Sequence, residues 1–408
     1  MSDSAPRESG PAPFTAIRGN ERHHIYADLA ARGPVHPITT PAGTQAWLVT
    51  GYAETRALLS DPRLVKGGWT SGAYAHQLPQ DVARGIHTTM LNSDPPDHPR
   101  LRRLVTSTFT RRRVEKLVPR IQQLTDDLLA EADGRGTVDL ISALAYPLAI
   151  GVICELIGIP EAERADFREW TLPAVSPGIY SYEEFHAAVA SLLAYSRELI
   201  GKKRRDPQDD LLSDLIAARD DGEGLSQDEL TSMIFLLVIA GHETTVNLIG
   251  NGMRSLLTHP GQLALLRKRP ELLDPAIEEL LRHDGPVQTT LSYRTVEPVE
   301  AGGVRLPAGS VVYFALVAAN RDPRVFPMGA ALDVTREAPK HVAFGHGIHY
   351  CVGAPLARVE ARIAFRTLLD RFPDLRLAVP AESLTRTPSL LMNGLSALPV
   401  HLRLPAAA

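Results

Sequence analysis

Residues 344–353, FGHGIHYCVG, place one cysteine in a setting that suits metal ligation. Three glycines let this backbone approach a flat partner closely. Cys351 stands just before a helical pattern that opens with Ala354 and Pro355. The dipole and the free N–H groups of a helix N-terminus favour a thiolate, and Phe344 can shield the sulfur from water. Because a thiolate held by backbone N–H groups is a strong metal ligand, the segment predicts a sulfur-bound metal or metal cofactor.

Two other interpretations of this segment stay open on the residues alone. A lone cysteine is most often a buried structural thiol, as we predict for Cys154 in an apolar helical stretch. Zinc could instead use His346, His349 and Cys351, whose side chains are of the right type. That site would be cramped, because its three ligands fall within six residues and no fourth ligand is evident. The glycines, the aromatic residue and the following helix favour the thiolate interpretation.

A second segment, AGHETT at residues 240–245, lies midway along the longest helical pattern. Glycine inside a helix costs about 1 kcal/mol relative to alanine, and Thr244 can bond back to the Ala240 carbonyl and bend the helix. With Gly241, this predicts a local widening where a small molecule could sit. A tolerated glycine with two core threonines is the alternative. His242 and Glu243 begin the zinc motif H-E-x-x-H, but valine at position 246 excludes it.

Both segments resemble the signature motifs of the cytochrome P450 superfamily. Residues 344–353 fill every fixed position of its haem-binding loop, F-x-x-G-x-[HR]-x-C-x-G, and residues 240–244 match its oxygen-binding groove, A-G-x-[ED]-T. The resemblance covers the chain from about residue 26 to residue 404. It implies that Cys351 is the axial thiolate ligand of the iron in haem b (heme b), that Thr244 contacts dioxygen, and that Glu243 relays protons. By the same resemblance, further cofactor contacts come from Phe344, Gly345, Gly353, Ala240 and Gly241.

Further charged residues match positions of this family. Glu279 and Arg282 fit E-x-x-R and would share one face of a helix. Alone they would suggest a surface ion pair of little energetic weight. By resemblance the pair is buried, is joined by Arg336 or by an arginine near residues 320–323, and stabilises the haem-loop region. The two haem propionates need cationic partners, and the matching positions are His98, Arg102, Arg294 and His349.

The resemblance is closest to soluble actinobacterial members that tailor macrolides and other polyketides, and residues 240–252 are especially like them. It implies a lipophilic small-molecule substrate, such as a macrolide, a polyketide or a similar secondary metabolite, within antibiotic biosynthesis. Most side chains expected at the pocket are apolar, which suits such a molecule. The candidate substrate contacts are Trp69, Tyr74, Leu237, Val238, Val287, Thr290 and Leu391.

The implied activity is that of a haem-dependent monooxygenase, which inserts one oxygen atom from O2 into a C–H or C=C bond. Electrons would come from NAD(P)H through a ferredoxin reductase and a ferredoxin. A basic stretch at residues 100–116 is either a solvated face or the docking surface for an acidic ferredoxin. Two alternatives stay open. One is a peroxide-dependent peroxygenase, although such relatives usually lack the Glu243–Thr244 pair, and the other is a non-catalytic member that recruits partners.

The elements that must position these residues are mostly helical. Ser226 and Glu229 form an S-x-x-E capping box, and apolar periodicity then continues to about residue 257, before Pro260. About 32 residues at 1.5 Å each predict a helix on the order of 48 Å long that crosses the molecule. Residues 304–306 and 311–316, separated by Pro-Ala-Gly, predict a β-hairpin. Other predicted helices cover residues 101–109, 114–132, 141–157, 272–281 and 355–372, and other predicted strands cover residues 46–50 and 399–404.

Composition sets the class of protein. Of the 408 residues, 44% are hydrophobic and 22% charged, which indicates a globular chain with a large core. A net charge of −4 does not suggest a nucleic-acid binder. With no apolar signal region and no apolar run of about 20 residues, we expect no membrane span. We therefore expect a cytoplasmic protein, and a monomer is the default oligomeric state.

The domain organisation follows from these patterns. We predict a flexible tail over residues 1–14 and a single haem-thiolate domain over residues 15–408. This domain is mainly α with a small β portion, the cytochrome P450 fold with a long central helix. His23 and His24, near the tail, are predicted to be an ordinary exposed pair.

Overall fold

The computed structural model describes residues 13–66, 77–164, 167–175, 180–220, 224–337 and 340–403. Helices dominate this part of the chain, as the mainly α prediction requires. The helices are α1 (Glu21–Arg32), α2 (Tyr52–Leu58), α3 (Gln80–His87), α4 (Asp97–Thr108), α5 (Arg111–Ala132), α6 (Tyr146–Ile157), α7 (Phe167–Val175), α8 (Tyr182–Arg205), α9 (Leu211–Asp220), α10 (Gln227–Thr258), α11 (Pro260–Lys268), α12 (Leu273–Asp284), α13 (Leu316–Ala319) and α14 (Ala354–Arg371). The strands are β1 (Val35–Thr39), β2 (Gln45–Val49), β3 (Leu64–Val65), β4 (Val138–Asp139), β5 (Tyr293–Thr295), β6 (Val299–Ala301), β7 (Val304–Leu306), β8 (Val311–Phe314), β9 (Arg376–Leu377) and β10 (Pro399–His401).

The long helix α10 is confirmed with its predicted start. The Ser226 hydroxyl accepts the N–H of Glu229 at 3.2 Å, and the Glu229 carboxylate accepts the N–H of Ser226 at 2.7 Å. This reciprocal capping box satisfies two backbone donors that the first turn leaves free. α10 then packs against α3, α6, α8, α12 and α14. It is therefore the central element on which the other helices are arranged.

The apolar character of α10 has a structural cause. Among the described residues, α10 is the one helix long and apolar enough to cross a membrane, and 61% of its most apolar window is buried inside the protein. The main hydrophobic core surrounds it, with α6 and α14 as further contributors. Cys154 on α6 is fully buried in this core, as predicted.

The β portion forms three small sheets. The largest has five strands in the order β1-β2-β8-β5-β3, in which β2 and β8 run parallel and the other pairs are antiparallel. β4, β10 and β9 form a second sheet, and β6 and β7 form a third. A separate hydrophobic cluster lies on the five-stranded sheet. The sheet places β3 and β5 side by side, with Val65 opposite Arg294.

The predicted hairpin of residues 304–306 and 311–316 is wrong. β7 pairs instead with the preceding strand β6, and β8 joins the five-stranded sheet between β2 and β5. The turn of the observed hairpin is Gly302-Gly303, whose φ values are +54° and +78°. A two-residue hairpin turn with both φ values positive favours glycine at both positions. The Gly-Gly pair is thus a stronger turn signal than Pro-Ala-Gly.

Both ends of the described chain meet at the buried carboxylate of Asp284. Arg386 and Asn393 donate to its two oxygens at 2.6 and 2.8 Å. Arg22, which is 371 positions from Asn393, donates to the amide oxygen of Asn393 at 3.0 Å. His23 is only 6% exposed, and its Nε2 lies 2.9 Å from Asp284. The prediction of an exposed His23 is therefore wrong, because a distant carboxylate buries it.

The predicted tail lies almost entirely outside the described residues. Residues 1–12 are not described, and Phe14 is 1% exposed within a cluster that includes Tyr26 and Leu48. The backbone carbonyl of Pro13 accepts a hydrogen bond from Arg22 at 3.2 Å. Residues 13 and 14 therefore belong to the packed structure. A single domain over residues 15–408 stays a prediction.

Candidate active site

The loop before α14 holds Cys351 in a fixed backbone geometry. The N–H of Cys351 donates to the Phe344 carbonyl at 2.9 Å, so the loop closes on itself. Gly345 and Gly347 have φ values of +75° and +71°, a conformation that favours glycine. A Cβ at position 347 would also overlap the carbonyl of Leu59. The glycines therefore shape this loop as predicted.

The sulfur of Cys351 is placed to bind a metal. Its side chain is exposed on one side, while protein atoms crowd the rest of the residue. Burial raises the pKa of the thiol, and the backbone N–H groups of Gly353 and Ala354 offset part of that rise. A coordinating metal displaces the thiol proton outright. A sulfur backed by N–H donors and open on one side therefore fits an axial haem ligand.

The alternative zinc site finds no support. Among the described residues, which include His346, His349 and Cys351, no group of three or more potential ligands is close enough to hold a metal ion.

α10 carries the second predicted segment at mid-length. The Thr244 hydroxyl donates to the Ala240 carbonyl at 2.8 Å, as predicted. The helix stays α-helical through residues 240–245, and the predicted local widening stays a prediction. Gly241 lets α6 approach, because a Cβ there would lie 2.6 Å from Cδ1 of Ile153. Ala240 is exposed at the middle of a core helix, with half-buried Glu243 and Thr244 beside it, so open space adjoins this face.

Four basic side chains form what we call the basic cluster: Lys66, His98, Arg102 and His349. The rings of His98 and His349 lie 4.5 Å apart. The Lys66 ammonium lies 3.6 Å from the ring centre of Tyr293, which is 6.1 Å from that of His349. Burial, and then the charge of Lys66, lower the pKa of His349 to about 3. Within the described ranges, the buried Nε2 of His98 has no hydrogen-bond partner.

Anionic partners are scarce in the basic cluster. Arg102 donates to the carbonyl of Tyr350 at 2.6 Å rather than to a carboxylate. Asp94 is the carboxylate beside Lys66, and its oxygens accept the backbone N–H of Lys66 at 2.9 and 3.0 Å. Burial outweighs the attraction of Asp94 and lowers the pKa of the Lys66 ammonium to about 7. The cluster therefore fits a ligand that carries carboxylates, as haem does with its propionates.

Lys66 is the member of this cluster that the sequence did not predict. The pairing of β3 with β5 brings it to Tyr293, and its only local signal is its place between a strand-like Leu-Val pair and two glycines. Arg294 is predicted to serve the same ligand and lies next to Tyr293 on β5. Side chains alternate along a strand, and the Arg294 guanidinium donates to the carbonyl of Gly309 at 3.2 Å. A contact between Arg294 and the haem stays a prediction.

The E-x-x-R pair forms a buried and fully compensated group. Arg282 makes two hydrogen bonds to Glu279, at 2.6 and 2.7 Å, and both side chains are 0% exposed. Arg336 lies 3.2 Å from the same carboxylate. The remaining donors of Arg282 reach the backbone carbonyls of Asn320, Gly329 and Ala331 at 2.7–2.9 Å. The surface-pair alternative is wrong, and Arg336 is the joining arginine.

The candidate substrate residues divide into three groups. Trp69 and Tyr74 lie outside the described residues. Leu237 and Val238 are buried on α10, three and two residues before Ala240. Val287, Thr290 and Leu391 are half-buried and come from two segments that the structure joins, since the N–H of Gln288 donates to the Leu391 carbonyl at 2.7 Å.

These features together indicate a haem-thiolate protein. They are a helical fold around a long central helix, a cysteine loop shaped by glycines, and a cluster of basic side chains. The Cytochrome P450 family model matches residues 180–393. Cytochrome P450 107B1 of Saccharopolyspora erythraea is 50% identical over 396 residues, which cover 95% of this chain and 96% of that protein. The 6-deoxyerythronolide B hydroxylase of the same organism is 44% identical, covering 93% and 96%. The structure of the P450 monooxygenase TamI with bound tirandamycin C matches with a TM-score of 0.87 and 44% identity, over 93% of this chain and 97% of that one.

The chain belongs to the cytochrome P450 family. Its fold is the cytochrome P450 fold, as predicted, and its cofactor is haem with a thiolate ligand. The protein is accordingly an oxidoreductase of the monooxygenase class.

Proposed function

We propose that this enzyme uses haem b held by Cys351 to hydroxylate or epoxidise a macrolide, a polyketide or a similar lipophilic secondary metabolite. The observation that carries the proposal is the Cys351 sulfur, which is open on one side and backed by the N–H groups of Gly353 and Ala354. The relatives support the substrate class, because one is a 6-deoxyerythronolide B hydroxylase and another binds tirandamycin C.

The bound haem supplies the activation of dioxygen and the transfer of one oxygen atom. The chain supplies the sulfur ligand, the proton path and the binding site. The Thr244 hydroxyl gives its own proton to the Ala240 carbonyl at 2.8 Å, so its oxygen is left to accept a hydrogen bond from a water or a ligand. The half-buried Glu243 carboxylate, one residue earlier, can exchange protons with solvent and pass them to that water.

The remaining cofactor contacts are proposed from the charge and the exposure of the residues around Cys351. The basic cluster holds the propionates, because Arg102 and Lys66 are cationic and have few anionic partners of their own. His98, His349 and Arg294 complete this group. The backbone of the glycine loop would contact the haem at Phe344, Gly345 and Gly353. The exposed Ala240 of α10 and the backbone of Gly241 would contribute further contacts.

The substrate site lies between α10 and the joined segments 287–290 and 389–392. Leu237, Val238, Val287 and Leu391 give apolar surface, and Thr290 adds a hydroxyl that accepts the N–H of Phe314 at 3.3 Å. Mostly apolar walls with few polar groups suit a large lipophilic molecule. Trp69 and Tyr74 are proposed as further walls.

Electrons reach the haem from NAD(P)H through a ferredoxin reductase and a ferredoxin. Internal ion pairs neutralise part of the basic stretch, since Arg113 and Lys116 pair with Asp214 and Asp209, while Arg112 stays exposed. The docking surface therefore rests on fewer charges than the sequence suggests. We place the enzyme in the cytoplasm as a monomer.

The difference spectrum of the dithionite-reduced protein with and without carbon monoxide tests the ligand. The wild type and Cys154→Ser should show a strongly red-shifted Soret band, because both keep the Cys351 thiolate. Cys351→Ser should lose that band. Retention of the band in Cys351→Ser would refute the assignment.

The proton path is tested by product coupling. Thr244→Ala should divert reducing equivalents from NADPH to hydrogen peroxide, because the hydroxyl that steers protons is lost. Thr245→Ala is the matched control, since its hydroxyl is buried and faces the carbonyl of Gly241 at 3.4 Å. Equal coupling in both variants would exclude a special role for Thr244. Product formed with peroxide alone at the NADPH-driven rate would instead favour a peroxygenase.

A further inference from the structure

A second charged group lies behind the cysteine loop, beside the Glu279–Arg282 pair. Glu278 on α12 accepts two hydrogen bonds from Arg358 on α14, at 2.6 and 2.8 Å. His341, at the start of the loop, completes the group through its Nε2, 3.1 Å from Glu278. We call Glu278, Arg358 and His341 the loop triad.

The hydrogen bonds fix the protonation of the loop triad. The N–H of Ala343 lies 3.2 Å from Nδ1 of His341, and a backbone N–H can only donate. Nδ1 is therefore an acceptor, and the ring is a neutral tautomer that donates from Nε2 to Glu278. Burial alone would raise the pKa of Glu278, but the hydrogen bonds from Arg358 and His341 lower it to about 2. Glu278 is thus the anion of the triad and Arg358 is its cation.

The cation of the triad faces the cysteine loop. The Arg358 guanidinium carbon lies 4.5 Å from the ring centre of Phe344, a cation–π distance. The carbonyl of Phe344 accepts the N–H of Cys351 at 2.9 Å, so the stacked ring belongs to the frame that holds the sulfur.

We propose that Arg358, held over Phe344 by Glu278 and His341, is a positioning residue that sets the reduction potential of the haem bound at Cys351. Adding an electron to the iron makes the haem–thiolate unit more negative, and a nearby cation stabilises that state. The carboxylate of Glu278 opposes this effect and fixes where the cation lies. Two hydrogen bonds and a stacked planar group specify arginine rather than lysine. The inference rests on the proposed role of Cys351.

A matched pair one helical turn away supplies the control. Arg362 follows Arg358 by four residues on α14 and pairs at 2.5 Å with Asp274, four residues before Glu278 on α12. Its side chain is more exposed, and the structure gives it no contact with Phe344 among the described residues. Arg362→Gln therefore removes the same charge from the same surface without altering the stacked cation.

Potentiometric titration of each purified holoprotein, monitored in the visible spectrum, tests the proposal. Arg358→Gln should shift the haem midpoint potential to a more negative value than the wild type has, and by more than Arg362→Gln does. Glu278→Gln should shift it to a more positive value, because the opposing anion is removed. The midpoint potential of Arg358→Lys should lie between those of the wild type and Arg358→Gln. Lysine keeps the positive charge but loses the planar pair of donors that binds Glu278.

Two results would overturn the proposal. One is an equal shift in Arg358→Gln and Arg362→Gln, and the other is a Glu278→Gln potential at or below that of the wild type. If Arg358→Gln does not retain haem, Glu278→Gln and Arg358→Lys decide the matter, because the first keeps the size of the side chain and the second keeps the positive charge. The carbon monoxide spectrum is recorded first. A wild type without the red-shifted band refutes the Cys351 assignment, whereas a normal band with unmoved potentials refutes only the role of the loop triad.

Discussion

Two sets of charged side chains, the Glu279–Arg282 pair and the basic cluster, differ in how completely the protein itself supplies their partners. Glu279 and Arg282 are 0% exposed, and the structure supplies a partner for each of their polar groups. The basic cluster is different. Burial lowers the pKa of the Lys66 ammonium to about 7. The buried Nε2 of His98 has no hydrogen-bond partner among the described residues.

This difference separates buried charges that stabilise the fold from buried charges that form a binding site. A buried ion pair with all its hydrogen bonds made is complete, and its removal harms the fold. A buried basic group without an anion costs free energy until a ligand brings the anion, so perturbed pKa values mark binding sites. Both sets contain arginine, so residue type alone does not tell a structural charge from a ligand-binding one.

The largest expected effect is a loss of stability when the buried Glu279–Arg282 pair is broken. Glu279→Gln leaves the Arg282 cation buried without its anion, which should lower the free energy of unfolding by about 3–5 kcal/mol. Denaturant unfolding of the holoprotein measures it. Glu131→Gln breaks the exposed pair with Arg135 and should cost at most about 0.5 kcal/mol. Similar losses in the two variants would remove the distinction drawn above.

A smaller effect concerns cofactor retention in the basic cluster. Arg102→Gln should speed haem transfer to excess apomyoglobin by roughly 10–100-fold, as expected for one lost charge-assisted hydrogen bond of about 1.5–3 kcal/mol. Arg103→Gln, the exposed neighbour, removes the same charge and should leave the rate near that of the wild type. If the two variants release haem equally fast, general surface charge rather than the cluster retains it.

The smallest effect is the pH dependence of that retention. Without haem the pKa of Lys66 is about 7, and bound propionates should raise it. The haem-bound form then holds more protons above pH 7, so haem affinity should fall as pH rises, by at most about tenfold per unit for one proton. Transfer assays at pH 7, 8 and 9 measure this slope. Lys66→Met should flatten it, and an unchanged slope in that variant would assign the proton to another group.

Short-range features were predictable from the sequence, and long-range ones were not. The cysteine loop, the capping box of α10 and the E-x-x-R pair each fall within about ten residues, so their spacing carries their geometry. Lys66 and the partner of β8 depend on strands that pair across the chain. The buried His23 depends on Asp284, 261 positions later. No local pattern encodes such contacts, because they arise only when the core forms.

The Asp284 network also has a consequence for how the protein is made. A ribosome delivers Arg22 371 positions before Asn393, yet the two side chains share a hydrogen bond in the folded protein. Until residues 386–393 emerge, Arg22 on α1 and the Asp284 carboxylate at the end of α12 lack several of their final partners. The buried polar network around Asp284 therefore cannot form until this segment has been synthesised. A chain that ended just before Arg386 would contain the whole haem loop. It would still lack the hydrogen bonds that Arg386 and Asn393 donate to Asp284.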